Sequence, residues 1–183
     1  MSEVSERYRK VAEVFTERVD GVPDGLWDAP APCEGWVARD VVGHLVEWLP
    51  AFFTRTFDLQ VPPIPDVQDD PVGAWAALDA TFRAALEDPE LAGRTRDTPM
   101  GSSTFEQAFD VIGTNDVFLH TWDLARATGQ DETLDPDEVH RMLEGMEPMD
   151  EVLRTSGHYG PRVPVPEDAD EQTRLIAFIG RQP

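Results

Sequence analysis

Apolar residues recur every three or four positions along most of the chain, which is the spacing that places side chains on one face of an α-helix. Val4, Val11 and Val19 belong to the first such stripe. No segment shows the strict alternation of apolar and polar residues that a half-buried β-strand needs. The pattern therefore predicts an all-α protein. The predicted helices cover residues 3–20, 38–58, 71–87, 104–128 and 136–150, and a last short helix ends at Gly180.

Proline, glycine and capping residues indicate where several of these helices begin and end. Ser103 followed by Glu106 has the spacing of a capping box at the start of the fourth helix. Gly129 fits the position just after that helix, where a left-handed backbone is common. Pro50 lies inside the second helix and should kink or interrupt it, because proline lacks an amide hydrogen. Long amphipathic helices followed by shorter ones are typical of a four-helix bundle with short additional C-terminal helices, so we expect one domain over residues 1–183.

The chain is strongly acidic, since 15 Lys and Arg against 36 Asp and Glu give a net charge of −21. Nucleic acids and anionic membrane surfaces are bound through clustered basic residues, so the sequence excludes both as partners. No apolar run reaches the roughly 18–20 residues of a membrane span, and residues 1–6 lack the features of a secretory signal. We therefore expect a cytoplasmic protein. Its single cysteine, Cys33, excludes an internal disulfide and any zinc site with several cysteines.

Histidine and aspartate at helical spacing are the main candidates for chemistry. Asp116 and His120 lie four residues apart, which places both side chains on one face of the fourth helix. A surface ion pair has the same spacing, so this pair alone does not indicate a metal. His44 lies on the apolar face of the second helix, either as a buried core histidine or as a third ligand that faces the other two. Two imidazoles and one carboxylate in a bundle core suit Zn²⁺, Ni²⁺ or Fe²⁺ and leave a coordination position open.

The neighbours of these residues allow more than one role. Asp40 could orient the His44 ring, or its charge could stabilise the N-terminus of the second helix. Asp123 lies three residues after His120 and has the same two alternatives. Cys33 is expected to be a small buried filler rather than a redox thiol, because its local sequence has no His or Lys to activate it. The tryptophans stand mostly at apolar helix positions, which favours the core over a binding cage.

Two segments of the chain resemble a known family. The first is Pro32-Cys33-Glu34-Gly35-Trp36 with Arg39-Asp40-Val41-Val42-Gly43-His44-Leu45, and the second is the block 116–129. Both are similar to the DinB-like superfamily and, more closely, to the metal-binding domain of mycothiol-dependent maleylpyruvate isomerase and its actinobacterial relatives. The resemblance implies a DinB-like four-helix bundle that holds a divalent metal, with zinc favoured, through His44, Asp116 and His120.

The sequence departs from this family's pattern at particular positions. The carboxylate ligand of the isomerase is a glutamate, and the matching residue here is Asp116, whose shorter side chain is expected either to draw the metal closer to the fourth helix or to change how the metal binds. Val37 stands near the position where relatives often have a threonine cap, so we expect a less well fixed start of the second helix. The separate C-terminal domain of the isomerase has no counterpart in residues 1–183, which makes the isomerase reaction itself less expected.

The resemblance also implies a chemical class of function. The expected protein is an enzyme that uses a low-molecular-weight thiol such as mycothiol in a transferase or isomerase reaction on a small molecule, with the metal stabilising the thiolate. Two other functions stay open, which are hydrolysis by metal-bound water and non-catalytic binding of a metal or small ligand. The long apolar helix faces could form a core or a homodimer interface, and periodicity does not separate the two.

Overall fold

Helices dominate the computed structural model, which describes residues 2–98, 101–155 and 159–183. The predicted all-α class is therefore confirmed. The chain forms two compact units, Met1–Asp131 and Glu132–Pro183. One domain over residues 1–183 stays a prediction. The helices of the first unit are α1 (Glu3–Asp20), α2 (Ala38–Phe57), α3 (Pro71–Glu87), α4 (Pro89–Ala92), α5 (Phe105–Phe109) and α6 (Asn115–Thr128).

The long helices of the first unit pack as a bundle around an aromatic core. α1 contacts α3 and α6, and α2 contacts the same two helices, so α1 and α2 lie diagonally opposite each other. Tyr8, Phe53 and Phe82 come from three different helices and are fully buried. Their rings meet the ring of Phe109 at centroid distances of 4.6–5.2 Å. This cluster joins α1, α2, α3 and α5 through the largest apolar side chains, whose burial is the main stabilising contribution in such a bundle.

The start of α2 is fixed without a capping side chain at Val37. The carboxylate of Asp40 accepts the backbone N–H of Val37 at 2.9 Å, and the N–H of Ala38 donates to the carbonyl of Ala29 at 2.8 Å. These bonds satisfy amide groups that a helix start leaves without partners. The expected absence of a cap from Val37 is confirmed, and a start less well fixed than in relatives stays a prediction. Pro50 does not interrupt α2, because the helix continues through this buried proline to Phe57, and the alternative expectation of a kink stays a prediction.

A short antiparallel hairpin precedes α5, although the sequence pattern indicated no strand. Strand β1 (Thr95–Thr98) pairs with β2 (Gly101–Thr104), and the register places Thr95 opposite Thr104. Most of the strand residues are exposed and polar. A strand without a buried face has no alternation of apolar and polar residues, which explains why the pattern missed it.

The segment predicted as one helix over residues 104–128 is divided by a wide turn. α5 is followed by five residues of π-helix, Asp110–Thr114, which form a π turn, and only then by α6. The helix is capped by Thr104 rather than by Ser103, because α5 begins at Phe105 and Thr104 is the residue immediately before it. Thr104 Oγ1 accepts the N–H of Gln107, and the Gln107 side chain accepts the N–H of Thr104 in return. The capping box is thus present one residue later than predicted.

The predicted C-terminal glycine of α6 is confirmed. Gly129 has φ 68° and ψ 28°, which is the left-handed region where an L-residue is strained. Nothing lies within 4 Å of the position that a Cβ would take, so only the backbone conformation opposes a side chain there.

Replacing Gly129 by alanine is therefore expected to lower the free energy of unfolding by about 1 kcal/mol. Gly43→Ala is the matched control, because Gly43 lies inside α2 and an added Cβ would meet Val67 Cγ1 at an ordinary 3.5 Å. We expect this control to raise the free energy of unfolding by up to about 1 kcal/mol. Urea unfolding of both variants measures whether the free energy of unfolding falls in Gly129→Ala and rises in Gly43→Ala. Equal changes in the two variants would contradict the conformational explanation.

The second unit contains the C-terminal helices that the sequence predicted and also a short helix over Asp150–Thr155 that it did not predict. The helix predicted over 136–150 ends earlier, at Met146, because Pro148 lacks the amide hydrogen that would continue it, and a 3-10 turn follows at Glu147–Met149. The helices of this unit are α7 (Pro136–Met146), α8 (Asp150–Thr155) and α9 (Glu171–Phe178), and α7 packs against α9. Across the described ranges, no helix is both long and apolar enough to cross a membrane.

Candidate metal centre

His44, Asp116 and His120 meet where α2 packs against α6. His44 Nε2 lies 3.4 Å from Asp116 Oδ2, and His120 Nε2 lies 3.5 Å from Asp116 Oδ1. One possible ligand atom from each of the three residues lies within 4.8 Å of the other two. The spacing of Asp116 and His120 on one helix face brings this pair together, and the packing of α2 adds His44 from the facing helix. The structure therefore assembles the three residues that the sequence singled out.

The spacing of these atoms fits a small divalent ion. Zinc binds imidazole nitrogen and carboxylate oxygen at about 2.0–2.2 Å, so two ligands on a tetrahedral ion lie about 3.3–3.6 Å apart. The distance of 3.4 Å from His44 Nε2 to Asp116 Oδ2 and that of 3.5 Å from His120 Nε2 to Asp116 Oδ1 fall in this range, with each imidazole facing a different oxygen of the carboxylate. Two imidazoles and one carboxylate also form the donor set of catalytic zinc sites, which keep a fourth position open. The residues present therefore fit a divalent metal.

One side of this cluster faces solvent. The His44 side chain is 30% exposed and the Asp116 side chain is 20% exposed, whereas the His120 side chain is only 7% exposed. A ligand that approaches from outside would thus reach the side formed by His44 and Asp116, with His120 deeper in the protein. This arrangement resembles an accessible site more than a closed structural one.

Asp123 holds the second ring nitrogen of His120. Its Oδ2 atom lies 2.9 Å from His120 Nδ1, and its side chain is fully buried. A carboxylate accepts hydrogen bonds, so Nδ1 carries the proton and Nε2 faces Asp116. Carboxylate–histidine pairs of this kind orient metal ligands in many proteins. Of the two alternatives left open by the sequence, Asp123 orients its histidine, whereas Asp40 binds the start of α2.

Cys33 belongs to the same buried network. Its thiol donates to Asp123 Oδ2 at 3.5 Å, and the residue is 7% exposed. Cys33, His120 and Asp123 also form a second group with metal-ligand spacing behind the first. The expectation of a buried cysteine is confirmed, but its place beside Asp123 was not predicted. The two residues are 90 positions apart in sequence. In the sequence, only the resemblance of the block around Cys33 to the family indicated that this cysteine could lie near the site.

Two tryptophans frame the cluster. Trp48 Nε1 donates to Asp116 Oδ2 at 2.7 Å. The Trp36 ring lies 5.0 Å from the ring of His44 and 5.8 Å from that of His120, measured between centroids. The interpretation of tryptophans as core residues holds for Trp75 and Trp122, which are buried. It does not hold for Trp36 and Trp48, which are partly exposed and contact the candidate ligands.

The network changes the proton affinity of two of these groups. Burial acts to raise the pKa of Asp116, but the charge of His120 and the hydrogen bonds from His44 and Trp48 lower it, and the net pKa lies below the ordinary value. Burial acts to lower the pKa of His120, but Asp116, Asp123 and Cys33 raise it to about 10. His120 is therefore held as a cation in the metal-free protein, and a metal ion would have to displace the proton on Nε2.

The metal-free protein is accordingly expected to lose stability as the pH rises from 6.5 to about 10. The pKa of His120 is higher in the folded state than in the unfolded state, so its contribution is fully present below the unfolded pKa and is lost as the pH passes the folded pKa. Urea unfolding in the presence of a chelator, at several pH values across this interval, measures the loss. The variant His120→Gln should lack this pH-dependent loss of stability. An identical dependence of the free energy of unfolding on pH in both proteins would contradict the role of His120.

His140, on α7, is not a member of either group of possible metal ligands. His140 is 55% exposed and pairs with Glu171 at 3.0 Å, so it is a surface residue. Hydrogen bonding to Glu171 and the charges of Glu171 and Glu144 raise its pKa. His158, which the sequence placed in a flexible connector, lies outside the described residues.

The comparison with known proteins agrees with this helical fold. The sequence profile of the mycothiol maleylpyruvate isomerase N-terminal domain family matches residues 8–125, and the chain belongs to this family. The matched residues include His44, Asp116 and His120. Two relatives from strains of Mycobacterium tuberculosis, each described as an uncharacterized protein, are 27% identical over 179 residues, which cover 95% of this chain and 95% of each relative. No solved structure matches the chain significantly.

Proposed function

We propose that this protein binds one divalent metal ion through His44, Asp116 and His120. Zinc is the favoured ion, and nickel and iron are alternatives that the same donor set accepts. The single observation that carries the proposal is the meeting of two imidazole Nε2 atoms and one carboxylate at distances of 3.4 and 3.5 Å. Asp123 supports it, because a buried carboxylate on Nδ1 directs the other ring nitrogen of His120 toward the ion.

We further propose that the protein is a transferase or isomerase that uses a low-molecular-weight thiol of the mycothiol type. A bound divalent ion lowers the pKa of a coordinated thiol and so supplies a thiolate nucleophile at neutral pH. Membership of the mycothiol maleylpyruvate isomerase N-terminal domain family supports this reaction class. The exposed side of His44 and Asp116 supports it as well, since a thiol and a small electrophile need access to the ion.

The residues around the ligands would have separate tasks in this reaction. Asp123 holds a proton on His120 Nδ1 and fixes the ring orientation. Trp48 donates to Asp116 and restrains the carboxylate, while Trp36 covers both imidazole rings. The net charge of −21 supports a small-molecule substrate rather than a nucleic acid. We propose that the protein uses the thiol in a reducing cytoplasm.

A coupled assay tests the proposed function. Protein loaded with zinc is mixed with mycothiol and either maleylpyruvate or a chromogenic aryl halide, and metal-free protein and zinc with thiol alone serve as controls. We expect turnover that requires the protein, the metal and the thiol together. Turnover of activated esters without a thiol would instead indicate a hydrolase that uses metal-bound water. A protein that binds one equivalent of metal but turns over none of these substrates would contradict the proposed enzymatic function and favour a non-catalytic binding module.

A further inference from the structure

The π turn at 110–114 lies between the buried aromatic residues of α5 and the metal-ligand candidates of α6. On a regular helix with about 100° per residue, Asp116 and His120 would lie within about 60° of Phe105. They would therefore point into the aromatic core, where Phe105 and Phe109 are fully buried. In the structure Asp116 instead lies 20% exposed and accepts a hydrogen bond from Trp48 of α2. A π turn contains one residue more than a regular α-helical turn. The residues after it therefore face a different direction from the one that an unbroken helix would give them, which accounts for this rotation.

The residues on the other face of α6 can be compared with a regular helix in the same way. On a regular helix, Val117, Thr121 and Leu124 would lie about 100–160° away from Phe105 and would leave the core. All three are buried, with exposures of 0%, 2% and 0%. Residues 117–125 are all buried, so burial does not distinguish the two faces of α6, and the bond from Trp48 of α2 to Asp116 is the observation that shows where the charged stripe faces. The sequence spacing does not reveal this change, since it assumes one unbroken helix.

Arg7 of α1 binds both ends of this turn. One guanidinium nitrogen donates to the carbonyl of Asp110 at 2.9 Å and to its Oδ1 at 2.7 Å. The other donates to Asn115 Oδ1 at 2.8 Å, and Asn115 immediately precedes Asp116. The Arg7 side chain is 6% exposed and that of Asp110 is 14% exposed, so the ion pair is largely removed from water. Such a planar fork holds two groups at a fixed separation, which the single point charge of lysine does not.

We propose that Arg7 is a positioning residue for the metal centre. Its guanidinium holds the π turn at Asp110 and Asn115, and the turn directs Asp116 and His120 toward His44. The inference rests on the proposed function, because it assigns Arg7 a role in metal affinity. It also makes a claim about the metal-free protein, since the bond from Trp48 to Asp116 joins α2 and α6 only when α6 has this rotation.

The test compares Arg7→Lys with Arg18→Lys. Arg18 is the matched control, because it lies on the same helix, is 14% exposed and binds a backbone carbonyl, that of Asp131, away from the turn. Asn115→Ala is a second variant that removes one contact of Arg7 and leaves no buried charge unpaired. Cobalt affinity and the visible absorption of bound cobalt report on the metal centre, and the Trp48 indole N–H resonance reports on the metal-free protein.

We expect Arg7→Lys and Asn115→Ala to lower cobalt affinity about 10–100-fold, as loss of a group that supports metal ligands does, and to change the cobalt spectrum. The Trp48 signal should lose its hydrogen-bonded shift in both variants, while Arg18→Lys should match the wild type. Wild-type affinity and an unchanged Trp48 signal in Arg7→Lys and Asn115→Ala would overturn the positioning role alone. A wild type that binds no cobalt would contradict the proposed function, and the Trp48 signal would still decide the role of Arg7.

Discussion

His44→Ala is expected to lower zinc affinity by about 100-fold or more without unfolding the protein. Structural zinc sites with four ligands bind with about 10–16 kcal/mol, so one ligand contributes about 3 kcal/mol, or two orders of magnitude. The side chain of His44 is 30% exposed, so its removal leaves little buried space. The variant should therefore separate metal binding from folding more cleanly than a change at the buried His120.

Competition with a chromophoric chelator measures this affinity, and far-UV circular dichroism checks the fold. His140→Ala is the control, because His140 is an exposed histidine in the second unit and pairs with Glu171. It should retain the wild-type affinity. If His44→Ala binds zinc as tightly as the wild type and His140→Ala does not, the ion is held elsewhere and the proposed ligand set is wrong.

Phe53→Ala should destabilise the protein by about 3–5 kcal/mol, which is the usual cost of removing a large aromatic side chain from a packed core. Phe53 has no exposed surface and lies at the centre of the aromatic cluster. The lost contacts join α2 to α3 and α5, and the bundle is too densely packed to close the cavity fully. Ring centroids at 5.0–5.9 Å from that of Phe53 belong to Phe52, Phe57, Phe82, Phe105 and Phe109.

Urea unfolding of the metal-free protein measures this effect without a contribution from bound metal. Val72→Ala is the control, because Val72 is 39% exposed on α3 and its truncation should change the free energy of unfolding by less than about 0.5 kcal/mol. A loss below about 1 kcal/mol for Phe53→Ala would contradict the role of the cluster, since core truncations of this size cost several times more.

The main helices could be predicted because their signals are local. α1 and α3 have the predicted bounds, and Asp70 caps α3 with its carboxylate on the N–H of Gly73 as its position before Pro71 indicates. Apolar spacing and capping residues act over one or two turns, so a single sequence contains them. The hairpin and the π turn leave no such signal, because the hairpin has no buried face and the turn interrupts an otherwise continuous helical spacing.

The candidate site was only partly predictable for the same reason. Asp116 and His120 lie on one helix face, so their proximity follows from helix geometry. His44 could be joined to them only through its apolar surroundings and the resemblance to a family. The contacts of Cys33 with Asp123 and of Trp48 with Asp116 join residues 90 and 68 positions apart, and these depend on how the helices pack.

Anomalous diffraction at the zinc absorption edge, from crystals of the wild type loaded with one equivalent of zinc, tests the central claim most directly. We expect a peak about 2.0–2.2 Å from His44 Nε2, His120 Nε2 and a carboxylate oxygen of Asp116, with His120 Nδ1 still bonded to Asp123. A peak at other residues, or no peak between α2 and α6 in the loaded protein, would contradict the proposed metal centre.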